Sequence, residues 1–596
     1  MGSLAVGDFA QASFQRLQHV KAKNFAGGQI EHDNSCELEA ISELHEVRND
    51  GIPFLKLPVE ILLRILEFVP DLCTDRYKDY TFFWRTTIRD SSMLIPVSGT
   101  CRRLREVALA YPRLWNTVQI SRKDDPLVGL LAERSQHFPL NVVSSDLSAV
   151  EGLPRTARVR SMHFDDIACD EFRHLCSVVE EYASPALESF SLSASEMYEW
   201  NLDEDPLPLT PIQAPNLRRL ALDTIRALPA CGFPNLTHLA LIDVWLSHVH
   251  DGIILFMSQC PRLESVVLDG FVLETAEEGI PDKPSPLPLA HLRHVILHQF
   301  SPTALKYYTT LLQPRVSGSS VQVLGSYQAD DISIAILFPS RGPQPNDSES
   351  IIRLCVGVHP DGEGEYNSGS HSVSITTVTP TSTRRIAAYD ISLETNGIPS
   401  NAWPHDILSN TSRSRLEDVQ EVWLYGVGSG SSYPWTDPSH ALSPLQHCSN
   451  AKIMVVVVDL SFHYDDEPSL CLLPSTRETA SGSGAEIRGV TTLRLVHGCS
   501  HHDTFCQPPE RHRRRAGSHK VPLGRLIEDV GSGEYSYLEQ FVLQVTPHMH
   551  VDPEELERLR ACFQGFTFER VEEFPAMPGH TDPARWGCER WPGSLW

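Results

Sequence analysis

The 596-residue chain is short of positive charge: 50 lysines and arginines stand against 76 aspartates and glutamates, a formal net charge of −26. Affinity for a nucleic-acid backbone comes from clustered cations, so this balance argues against a nucleic-acid surface as the main task. Long apolar runs are missing too. The longest, residues 453–458, has the length of a strand and falls far below the roughly 20 residues that span a bilayer. Residues 1–34 hold no basic patch ahead of an apolar core, and Val6 stands where a myristoylation motif opening at Gly2 needs Ser or Thr. Membrane and secretory readings are set aside, and with them any glycosylation at Asn235. The 14 cysteines lie singly, without short repeated spacings, as reduced and mostly buried thiols do in cytosol or nucleus.

Catalytic motifs are equally scarce. No Gly-x-Ser-x-Gly nucleophile elbow is present. His497, Cys499, His501, His502, Asp503, Cys506 and His512 include zinc-ligand types, but their spacing matches no paired-cysteine or His-Glu-x-x-His arrangement, and no metal is expected. Gly426-Val-Gly-Ser-Gly430 runs into Ser-Ser-Tyr-Pro-Trp, which cannot open the helix that a phosphate cradle needs. Arg511–Arg515 is a basic run in an acidic chain and reads as a solvated loop, or else as a nuclear-import or anion-binding patch. No cofactor and no enzymatic activity are expected.

What the chain does have begins at Leu57-Pro-Val-Glu-Ile-Leu62. Pro58 suits a first helical turn, where its missing amide hydrogen would have had no partner, and Pro70 marks the end. Between them Ile61, Leu62, Ile65, Leu66, Phe68 and Val69 cover more than one stripe, leaving Glu60, Arg64 and Glu67 as the polar face. So broad an apolar surface exceeds what a unit of about 60 residues can cover, which leaves a patch for a partner. A second helix is predicted from Pro96 to Ala110, with Val97, Cys101, Leu104, Val107 and Ala108 at helical spacing. Tyr111-Pro-Arg-Leu-Trp115 stops it.

In these residues the chain resembles the F-box family: the Leu-Pro-x-Glu-Ile-Leu opening, Cys101-Arg-Arg-Leu-Arg105 in the place of the usual Cys-Arg-x-Trp, and the closing Pro-x-Leu-Trp. Leu104 stands where a large aromatic is common, and the aromatic-rich segment 71–95 is longer than the family usually allows. The resemblance implies that Leu57, Pro58, Ile61, Leu62, Ile65, Cys101, Leu104, Pro112, Leu114 and Trp115 form the site for a Skp-type adaptor, and through it a cullin.

Beyond the F-box-like stretch the chain repeats itself. Leu-x-x-Leu-x-Leu recurs as Leu187–Leu192, Leu217–Leu222, Leu236–Leu241, Leu263–Leu268 and Leu292–Leu297, four of the five behind a proline frame, with weaker copies at Val159, Ile351, Val419, Val490, Leu538 and Phe563. The spacing is that of irregular leucine-rich repeats, although the asparagine usual after the strand is absent. Each unit is a strand that cannot bury its apolar face alone and needs stacked neighbours. Alternation predicts Leu220 and Leu222 inside, with Arg219, Ala221 and Asp223 facing out. Outer helices are expected at 252–260, 304–313 and 553–561. Segments rich in Gly, Ser, Pro and Thr (341–350, 360–383, 426–444 and 474–484) read as loops.

The expected fold is α/β: a helical F-box followed by a leucine-rich-repeat-like solenoid of parallel strands and outer helices. Residues 1–50 hold a short acidic helix near 35–47, 51–120 the F-box, 121–575 the solenoid, and 576–596 a Pro- and Trp-rich tail. An alternative places a separate domain after about residue 315. The implied function is target recognition for a ubiquitin ligase, with Arg219, His238, His294, Trp423, Tyr425 and Arg494 as candidate target contacts. The rival readings are a repeat scaffold without ligase coupling and, more remotely, a metal hydrolase using residues 497–506.

Overall fold

The computed structural model describes residues 52–69, 91–194, 214–270, 286–325, 350–360, 371–388, 416–425, 447–459, 489–498 and 519–572, apart from a few positions inside those spans and isolated residues outside them. The acidic helix expected near 35–47, the aromatic segment 71–90, the cluster 499–512, the glycine run 426–430, the basic run 511–515 and the tail lie outside the described residues. The chain is mixed α/β, with a large, mostly parallel sheet of 17 strands. No described helix is long and apolar enough to cross a membrane. Two compact units divide between Leu220 and Ala221.

The first unit opens with helix α1 (Val59–Phe68) behind Pro58. The helix predicted from 96 to 110 is two helices, α2 (Leu94–Thr100) and α3 (Arg102–Leu109). Cys101 breaks the run with extended backbone (φ −155°, ψ 160°), and its sulfur accepts the Leu104 amide at 3.4 Å, capping α3. A 3₁₀ turn at Pro112–Trp115 then buries Trp115 completely. Its indole N–H donates to the Ala108 carbonyl at 2.7 Å, and the Arg134 guanidinium stands 4.4 Å from its ring centre.

Four parallel strands follow in sequence order: β1 (Thr117–Ile120), β2 (Leu140–Ser144), β3 (Val159–Ile167) and β4 (Ser189–Ala194). Parallel neighbours need crossovers. Helices α4 (Pro126–Ser135), α5 (Leu147–Val150) and α6 (Phe172–Tyr182) lie between them in sequence. Strand β5 (Arg219–Asp223) spans the division between units.

The second unit begins with β6 (His238–Ile242), α7 (Val249–Ser258), β7 (Ser265–Asp269), β8 (His294–His298), α8 (Pro302–Leu311) and β9 (Ser319–Gly325). Each repeat enters its strand through one turn. The amides of Leu236, Leu263 and Leu292 donate to the carbonyls of Phe233, Cys260 and Leu289, at 3.1, 3.2 and 3.3 Å, with these anchors buried on both sides. Pro234 and Pro261 occupy the second position of that turn, where a fixed φ near −65° is wanted. Each repeat also leaves its strand through one corner. Asp243, Gly270 and Gln299 have positive φ (45°, 72° and 57°), and their amides donate to carbonyls at the end of the next strand, those of Asp269, His298 and Leu324, at 3.0, 3.3 and 2.8 Å. The bond itself uses main chain alone.

The regular parallel order breaks once. Strands β10 (Arg353–Pro360), β11 (His371–Val378) and β12 (Ser382–Ala388) form an antiparallel meander laid in backwards: β12 pairs β9, and β10 pairs the next repeat strand, β13 (Glu421–Tyr425). Part of the loop expected at 360–383 is therefore strand. Ser and Thr gave that stretch a loop composition, but Val373, Ile375, Thr376, Thr377 and Val378 are β-branched and suit a pleated surface. Beyond the meander, β13, β14 (Ile453–Asp459), β15 (Thr492–Gly498), β17 (Gln540–Val545) and β19 (Phe566–Arg570) are again parallel neighbours. Strand pairing runs continuously from β6 to β19 within the second unit.

Two helices serve this end, α9 (Gly524–Gly531) and α10 (Pro553–Cys562), the latter capped by Asp552, whose carboxylate accepts the Glu554 amide at 3.0 Å. Strands β16 (His519–Lys520) and β18 (Met549–His550) pair in parallel as a separate two-stranded sheet.

Candidate functional site

Helix α1 divides its circumference three ways. Leu62 and Leu66 are buried, at 0% and 2% exposure. Glu60, Arg64 and Glu67 form a charged stripe, with Arg64 and Glu67 paired at 3.0 Å. Between these lies an apolar stripe at i, i+4, i+7: Ile61 is 46% exposed, Ile65 half-buried and Phe68 61% exposed. Exposed Pro58 and Val59 begin the helix, and exposed Ile52, Phe54 and Leu109 lie in the segments before α1 and at the end of α3. The guanidinium of Arg103 donates to the Leu57 carbonyl at 3.0 Å, tying the start of α1 to α3.

This geometry sorts the ten predicted adaptor residues. Pro58 and Ile61 are exposed, and Leu57, Ile65, Cys101 and Pro112 are half-buried. Leu62, Leu104, Leu114 and Trp115 are interior, at 0%, 7%, 6% and 0%, because they make the core under the helices. Sequence reasoning left out Ile52, Phe54, Val59, Phe68 and Leu109. For Phe68 the signal was available: it lies seven residues after Ile61, on the same stripe.

The six candidate target contacts separate as well. Arg219, with Ala221 and Asp223, was expected to face outward and is instead buried at 3%. The nearby strands carry His163 and Ser191 on buried positions, their side chains 2.6 Å apart, so polar groups here fill an interior. Burial, and then the positive charge of Arg160, lowers the Arg219 pKa to about 10; burial, and then Arg219, lowers that of His163 to about 3. A histidine so placed is neutral at any physiological pH. His294 is exposed and His238 half-buried, two strands apart in register across Ser265.

Trp423, Tyr425 and Arg494 come together on one face of β13–β15. The register sets Trp423, Val455 and Arg494 side by side, with Tyr425, Val457 and Val496 in the next row. Trp423 and Tyr425 stack at 5.9 Å and 18°. Arg353, facing Glu421 across β10 and β13, donates to the Glu421 carboxylate at 2.7 Å and lays its guanidinium 4.8 Å from the Trp423 ring centre. The indole N–H donates to the same carboxylate at 3.1 Å. Burial opposes ionisation of Glu421, but the bonds from Trp423 and Arg353 and the charges of Arg353 and Arg494 outweigh it, holding its carboxyl below the usual range. Tyr425 is 4% exposed and belongs to the floor, whereas Trp423 and Arg494 are half-buried. Arg353 and Glu421 lie 68 residues apart, so no local pattern points to their pairing.

His497 is fully buried on the opposite face of β15, level with Val458 and Val545. Among the described residues no group of three or more His, Cys, Asp or Glu is placed to hold a metal, and Cys101, Cys260, Cys355, Cys448 and Cys562 are free thiols. Searched against protein-family models the chain matches none, and no curated protein matches it.

Proposed function

We propose that this chain is the non-catalytic target-recognition subunit of a Skp, cullin and F-box ubiquitin ligase. The observation that carries the reading is the open apolar stripe of α1, Ile61, Ile65 and Phe68, beside the buried Leu62 and Leu66 of the same helix. A helix inside a finished domain seldom leaves such side chains to water, and a contiguous exposed apolar patch marks an interaction site. The stripe runs through Leu-Pro-x-Glu-Ile-Leu, the segment whose resemblance to F-boxes implies an adaptor contact. Burying a large aliphatic side chain contributes about 1.5–3 kcal/mol, so three or four of them suffice to set an affinity. The parallel strands that follow suit the target-binding role, since repeat arrays present extended surfaces for recognition.

Titrating the purified chain with a Skp-type adaptor tests the proposal. A one-to-one complex at micromolar concentration or tighter is the expected result. A folded chain that shows no binding at micromolar concentration overturns the ligase reading in favour of a repeat scaffold.

A further inference from the structure

We propose that the strand-start end of β13–β15 recognises an acidic peptide segment of a target protein, Arg494 holding its anionic group while Trp423 packs against a neighbouring apolar side chain. The inference rests on the target-recognition reading and names the chemistry of the target.

Three observations lead there. The first is the state of Arg494. No carboxylate or carbonyl among the described residues hydrogen-bonds it, and its Nε is buried without a partner. Its interaction with Glu421 is through-space only, the register placing the two strands about 10 Å apart at roughly 4.8 Å per strand. A guanidinium loses hydration on partial burial, and hydrogen bonds to a planar carboxylate or phosphate, which its fork of donors fits, replace those lost to water. The chain carries 76 acidic residues against 50 basic ones, so an unbonded arginine on this face does not reflect a shortage of acids.

The second observation is that the neighbouring groups are already committed. Arg353 and the Trp423 indole both bond Oε2 of Glu421, which commits that oxygen and fixes the orientation of the indole. The three charges Arg353, Glu421 and Arg494 leave one net positive charge, and Arg494 is the group that carries it. Complementary charge then selects an anion.

The third is the anatomy of the face. Tyr425, Val455, Val457 and Val496 form a buried apolar floor, at 1–4% exposure. At the strand starts Ile453, Thr492 and Arg494 are half-buried and Gln540 is exposed. Trp423 and Arg494 thus stand where the floor opens, as a rigid aromatic and a planar cation do at the centre of protein–peptide contacts.

The test uses the full chain and oriented nine-residue peptide libraries whose central residue is glutamate, phosphoserine, glutamine or lysine, with all other positions random. The glutamate or phosphoserine library, or both, should be retained at least tenfold over glutamine and lysine. Retention of both anionic libraries identifies any anion as sufficient, and of phosphoserine alone identifies phosphorylation as the trigger. Arg494→Gln should abolish the preference, and Arg494→Lys should restore part of it. Equal retention of glutamine, or a preference that survives Arg494→Gln, overturns the proposal; the wild-type selection decides even where a variant fails to fold. The same samples are titrated with a Skp-type adaptor. Adaptor binding without anionic preference removes this inference alone, and anionic preference without adaptor binding removes the ligase reading alone.

Discussion

Helix α1 and the face of β13–β15 carry similar side chains to opposite ends. A helix turns 100° per residue, so its apolar residues can fill one buried stripe and leave a second stripe open, as Leu62/Leu66 and Ile61/Ile65/Phe68 do. A strand has only two faces. In β13–β15 both are largely covered, and Val455, Val456, Val457 and Val458 are each 1% exposed in succession. Apolar content therefore signals a surface on the helix and an interior on the strands. What opens the strand face is its polar content: Arg353, Glu421 and Arg494 hold the row at the strand starts half-exposed.

The two stripes of α1 differ most at Leu62. Leu62→Ala removes a fully buried side chain and should cost about 2–5 kcal/mol of stability, read as a shift of the urea midpoint. Ile61→Asp, one residue away, should change stability far less and weaken adaptor binding at least about tenfold, or about 1.4 kcal/mol. Equal losses of stability from both changes would erase the distinction between the two stripes.

On the strand side the corners are the sensitive points. Gly270 has φ +72°, and a Cβ there would overlap Asp243 Oδ1, so Gly270→Ala should destabilise by at least about 1 kcal/mol in chemical denaturation. The smallest effect concerns Asp243 itself, half-buried at the neighbouring corner. Burial, and then the charge of Asp269, raises its pKa to about 6, against an opposing pull from His298. The folded state therefore keeps this proton to a higher pH than the unfolded chain does. Its contribution to stability is complete below about pH 4 and is lost as pH rises through 6. Asp243→Asn tolerates the left-handed corner and removes the charge. It should raise the urea midpoint at pH 7 and match the wild type near pH 4; no difference at pH 7 would contradict the assignment.

Much of the strand array is legible because its units repeat. The Leu217, Leu236, Leu263 and Leu292 copies lead into β5, β6, β7 and β8, and the weaker copies at Val419, Val490, Leu538 and Phe563 lead into β13, β15, β17 and β19. Proline and aspartate signals found α10 to within a residue. The meander was not legible, since its order depends on which strand edge each segment finds, and β11 wears the composition of a loop. Among the candidate sites, Pro58, Ile61, Trp423 and Arg494 keep accessible positions, whereas Arg219, Leu62 and Trp115 do not. Burial is decided by neighbours distant in sequence, as the Trp115 indole shows by closing under Arg134.

We propose the open stripe of α1 as the contact surface for a Skp-type adaptor, and amide hydrogen exchange on the full chain, with and without saturating adaptor, is the decisive measurement. The strongest added protection is expected on residues 52–69, with strands β6–β9 unchanged. Protection concentrated on the strands, with the α1 amides exchanging as in the free chain, would contradict it.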